Sequence, residues 1–94
     1  MNLTQPITEI DGTEIREGEK PVTVRTMIVR GLLSPDQNAS PEDKYKRFKL
    51  AMRVEAGEGL EAEDIVTIKE CVGGAFAHPL IVGRVFDALK LSKE

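Results

Sequence analysis

Ninety-four residues with a formal net charge of −3 and a single cysteine describe one small domain with a thin margin of stability. Cys71 alone cannot form an internal disulfide, and an acidic balance argues against a dedicated nucleic-acid binder, whose affinity rests on phosphate attraction. No stretch approaches the ~20 apolar residues of a membrane span, and Asn2-Leu3-Thr4-Gln5 is too polar for a secretory signal, so a cytoplasmic, reducing setting is expected.

Residues 1–6 are expected to be a loose terminus. Residues 7–16 read as a hairpin, Ile7–Ile10 and Thr13–Arg16 around Asp11-Gly12, a strong two-residue turn signal. That register sets Glu9 against Glu14, and Ile10 beside Ile15 on one face. Glu17–Pro21 is a turn. Residues 22–33 carry two patterns. Val22, Val24, Ile28 and Val29 are β-branched and suit a strand, whereas Thr23 is a good helix cap and Val24, Met27, Ile28, Gly31 and Leu32 recur at helical spacing. Helix is the favoured reading. Gly31 either permits close packing or weakens the helix end.

Ser40-Pro41-Glu42-Asp43 opens a helix running to Ala56, with Ser as cap, Pro at the first position and acids in the first turn. Tyr45, Phe48 and Met52, widened by Ala51, are expected to face inward, and Gly57 ends the helix. A third helix begins after Glu61, with Leu60 and Ile65 at the two positions of a hydrophobic staple and Ile65, Ile68, Val72 and Phe76 as its buried stripe. His78-Pro79 breaks it and starts a fourth helix on Val82, Val85, Phe86 and Leu89. With four aromatic residues in the chain, the core must be aliphatic. The expected fold is mainly α (α+β): an N-terminal hairpin packed on three to four short helices, residues 23–91 being helical.

No catalytic, cofactor or metal set emerges. Cys71 and His78 lie seven residues apart, about 10 Å along a helix, too far for a thiol–base pair without a fold-back. Glu58, Glu61, Glu63 and Asp64 lack the order of a calcium loop and are explained by helix-start electrostatics. Cysteine and histidine show no metal-ligand spacing. Helix–break–helix over Ile65–Leu89 invites a DNA-reading motif, but the second helix offers only Arg84, Asp87 and Lys90 among apolar residues. Two surfaces remain. Lys46, Lys49 and Arg53 form a basic stripe within residues 41–56, where five basic and three acidic groups meet. Leu80, Ile81 and Leu91 lie off the last helix's inward stripe and are expected at a contact, in a symmetric homodimer or on a protein partner.

Several stretches resemble a group of small proteins encoded by tailed bacteriophages and prophages. They are Ile10-Asp11-Gly12, Lys20-Pro21-Val22-Thr23-Val24-Arg25 leading into Leu32-Leu33, and Lys44 to Ala51. The strongest is Leu60-Glu61-Ala62-Glu63-Asp64-Ile65 followed by Ile68-Lys69, Val72-Gly73 and Pro79-Leu80-Ile81-Val82-Gly83. Such proteins usually have Ser or Thr where this chain has Glu61. The resemblance implies a non-enzymatic, phage-encoded role with no assigned active site, in the host cytoplasm or on the virion. The expected function is protein–protein interaction with a phage structural protein or a host factor, with no cofactor. The alternative is a nucleic-acid-binding regulator using Lys46, Lys49 and Arg53.

Overall fold

The helical spacing at residues 24–32 prevails over their β-branched content. Val24, Met27, Ile28, Gly31 and Leu32 all lie on the buried side of helix α1, Val24–Leu32, and the Thr23 hydroxyl caps it by accepting from the Thr26 N–H at 3.2 Å. The computed structural model describes residues 3–91, with Lys90 and Leu91 described in backbone only. Helices α2, Pro41–Ala56, α3, Ala62–Ala75, and α4, Pro79–Leu91, follow, so more than half of the chain is helical. Helix α1 packs on all three others, and α3 also packs on α4. Ile28, Ile68, Val72, Val85 and Leu89 are fully buried around it, and the buried set of the described residues is wholly apolar.

Each helix starts where its capping chemistry says it should. Ser40 accepts from the Asp43 N–H at 3.1 Å, ahead of Pro41. Asp64 Oδ2 accepts from the Glu61 N–H at 2.9 Å, and the staple positions Leu60 and Ile65 are half-buried and buried. His78 Nδ1 accepts from the Leu80 N–H at 3.3 Å at the start of α4. Gly57 ends α2 in the left-handed conformation.

Helices α1 and α3 cross closely at Gly31. A Cβ there would lie 2.9 Å from Val72 Cγ2 and 3.2 Å from Val72 Cα. Of the two readings of Gly31, close packing is the one the fold uses.

The orientation of α2 corrects the sequence expectation. Its inward residues are Leu50, Ala51 and Val54, while Tyr45, Phe48 and Met52 are 59%, 49% and 58% exposed. The helix carries two apolar stripes on opposite sides, and only one can face α1. The aliphatic stripe joins the core on the α1 side, and the long, wide side chains are left outside.

The N-terminal backbone also departs from expectation. The Glu9 N–H donates to Thr13 O at 2.8 Å and the Ile15 N–H to Ile7 O at 2.9 Å, so Thr8, not Glu9, lies opposite Glu14. The loop is Ile10-Asp11-Gly12, with Gly12 at φ 91°, the left-handed third position of a three-residue hairpin loop. The one-residue shift separates Glu9 from Glu14, removing the like-charge pair, and leaves Ile10 in solvent. The regular strands are β1, Arg16–Glu17, and β2, Lys20–Pro21, antiparallel around Gly18-Glu19, where an undivided turn was expected. Nor are residues 3–6 a loose terminus. Leu3 is buried, and Gln5 O and Leu3 O accept from the Val24 and Arg25 N–H groups at 3.1 and 2.7 Å. The Ile7 N–H donates to Val22 O at 2.8 Å, which sets the fully buried Ile7 between Ile15 and Val22.

Candidate functional site

At 100° per residue, Tyr45, Lys49 and Met52 project directly away from the Leu50–Ala51–Val54 side of α2, with Phe48 on one shoulder and Lys46 and Arg53 on the other. The rings of Tyr45 and Phe48 stack at a centroid separation of 6.4 Å. The Lys49 ammonium lies 5.6 Å over the Tyr45 ring. The outer face of α2 is thus an apolar, aromatic strip edged with positive charge.

The basic residues of α2 divide by type. Arg47 donates to Asp36 at 3.1 Å. Arg53 makes a two-pronged bond to Asp64, at 2.8 and 3.2 Å, the fork geometry that guanidinium supplies and ammonium does not. Burial pushes the Asp64 carboxyl up, but the bonds from Arg53 and from the Glu61 N–H outweigh it and hold it below the ordinary aspartate value. Asp36 is also held low, by the Asn38 N–H and by Arg47. Lys44, Lys46 and Lys49 make no ion pair among the described residues.

Of the basic stripe expected at Lys46, Lys49 and Arg53, all three line one wall of a groove of 590 Å³ between α2 and α3. Arg53 is engaged across it by Asp64. The opposite wall is acidic: Glu63, Asp64 and Thr67 line it. Glu63, Val66 and Glu70 are exposed along the outer side of α3, at i, i+3 and i+7, with Val66 53% exposed.

Leu80 and Ile81 are half-buried in α4, and Ile81 packs against the core. The Leu91 side chain lies outside the described residues. Arg84 donates from Nε to Thr8 O and from an NH2 group to Glu9 O, both at 2.9 Å, tying α4 to the N-terminal loop. Cys71 is half-buried on α3 beside Arg47. Burial pushes its thiol up against the pull of that arginine, away from the thiolate a nucleophile needs. No cluster of three or more His, Cys, Asp or Glu that could hold a metal lies among the described residues, and no helix among them is long and apolar enough to cross a membrane.

Tyr45, Phe48 and Met52 are the surface residues that sequence reasoning missed. A usable signal was present: a core that must be aliphatic selects the Leu50–Ala51–Val54 stripe and frees the aromatic one. Comparison of the chain with protein-family models, with curated proteins and with solved structures gives no match in any of the three.

Proposed function

We propose that this chain is a non-enzymatic protein-interaction module that docks its partner on the outer face of α2. The carrying observation is the exposed strip of Tyr45, Phe48 and Met52 on a helix whose opposite side already supplies the core. Large aromatic and methionine side chains held in water by a rigid helix are what interface centres are made of. The resemblance to phage-encoded proteins sets the partner as a phage structural protein or a host factor, met in the host cytoplasm or on the virion. That setting rests on the resemblance alone.

The test is affinity capture from infected-cell lysate with the parent and with a Tyr45→Ala, Phe48→Ala, Met52→Ala triple variant. The captured protein is then purified and titrated against both. The reading expects binding to fall at least about tenfold in the folded triple variant, since interface anchors each contribute about 1–2 kcal/mol or more. Equal binding by both forms would remove it.

The alternative, a nucleic-acid-binding regulator, has one observation in its favour: stacked aromatics beside lysines also suit single-stranded bases. It is the weaker reading, because Arg53 is bound to Asp64 and acids line the facing wall. Titration with oligothymidylate, expected to show only weak, salt-sensitive binding, separates the two.

A further inference from the structure

We infer that the partner seated over the α2–α3 groove is a second copy of this chain, related by a two-fold axis that lays each α2 across the other copy's α3. The inference deepens the docking reading above and rests on it.

The argument starts from direction. Arg53, late in α2, pairs with Asp64, early in α3, while Arg47, a turn and a half earlier, lies beside Cys71, further along α3. The two helices therefore run antiparallel, side by side, and their outer faces form one surface. That surface is positive and aromatic on the α2 half, with Lys46, Lys49 and Tyr45. It is negative on the α3 half, with Glu63 and Glu70. A patch of this kind is its own complement. A two-fold interface uses the same patch twice, so each half must suit the other half.

The levels agree as well. Rotation about an axis parallel to the helices keeps each residue at its height. Lys46 and Lys49 then come level with Glu70 of the second copy, and Arg53 with its Glu63. Within one copy these lysines and glutamates form no ion pair, so their charges remain available to a neighbour. Tyr45, Met52 and Val66, each more than half exposed, supply apolar area between the charged pairs, as interface centres do.

The experiment is sedimentation equilibrium on the full chain in three forms: the parent, a Lys46→Glu, Lys49→Glu variant, and a Glu63→Lys, Glu70→Lys variant. All four side chains are exposed, and melting curves establish that both variants are folded. The parent is expected to dimerise. Each variant alone sets like charges face to face and should raise the dissociation constant by about tenfold or more. An equimolar mixture restores opposite charges between positions 46 and 49 and position 70 in both directions and should dimerise as the parent does. A monomeric parent, variants that dimerise as well as the parent, or a mixture that stays monomeric would overturn the inference. A monomeric parent whose captured partner is still lost in the triple variant overturns the dimer and keeps the docking face. A dimer whose partner binding ignores the triple variant does the reverse.

Discussion

At Gly31 the space for a side chain is already occupied, and part of the obstacle is backbone. Val72 Cγ2 could rotate away from a new methyl group, but Val72 Cα, 3.2 Å from it, could move only with the whole of α3. Gly31→Ala should therefore cost about 1–3 kcal/mol, the usual range for overpacking, despite alanine's better helix propensity. Gly83, in α4, meets nothing within 4 Å, so Gly83→Ala should gain about 0.5–1 kcal/mol from propensity alone. Thermal melts of the two variants should move in opposite directions. Asp64 provides a second test at this scale. Its folded-state carboxyl is held below the ordinary value near about 3.9, so it contributes stability that is complete above that value. That stability is lost as pH falls through the lower, folded-state value. Asp64→Asn should lower the melting temperature at neutral pH and flatten its fall on acidification. A variant as acid-sensitive as the parent would contradict the role of the Arg53 pair.

Helix α2 shows at element scale why reading apolar periodicity alone goes astray. If the outward aromatic strip contributes nothing to the core, Tyr45→Ala, Phe48→Ala and Met52→Ala should each change stability by no more than about 0.5 kcal/mol. Leu50→Ala should cost about 2–5 kcal/mol. Denaturant midpoints give both values, and a reversed order would reinstate the aromatics as core. The boundaries of all four helices were legible in the sequence, because capping is local: Thr23, Ser40, Glu61 and His78 each act within a few residues of themselves. The stripes of α1 and α3 were legible because each offers one apolar side. For α2 two sides competed, and the choice belonged to α1, which a local pattern does not contain. The hairpin register failed for a related reason. Asp11-Gly12 suits a two-residue turn, but the pairing was decided by where Ile7 could be buried between Ile15 and Val22. As for the site, the basic stripe was legible as spacing. The acids facing it across the groove, and the outward aromatics beside it, were not.

Over the whole molecule, residues 3–7 are structural members. Ile7 is fully buried and bonded through its backbone to both Val22 and Ile15, so Ile7→Ala should cost about 2–4 kcal/mol. Its melt should remain one transition, with no separate N-terminal step, since the same segment pins the start of α1. A variant melting in two steps would refute that coupling. The Arg84 bonds to the carbonyls of Thr8 and Glu9 have a consequence for biosynthesis. The ribosome delivers the loop long before it delivers the arginine, and α1, the hub of the packing, waits for α3 and α4 throughout. Nascent chains must therefore hold Ile28 and Leu32 uncovered until α3 and α4 have been made, a period in which chaperones have access to them. Messages truncated before Pro79 should yield a product that sediments with aggregates or is degraded, whereas the full-length product stays in the supernatant. A soluble, protease-resistant 78-residue fragment would show instead that closure does not depend on the last helix.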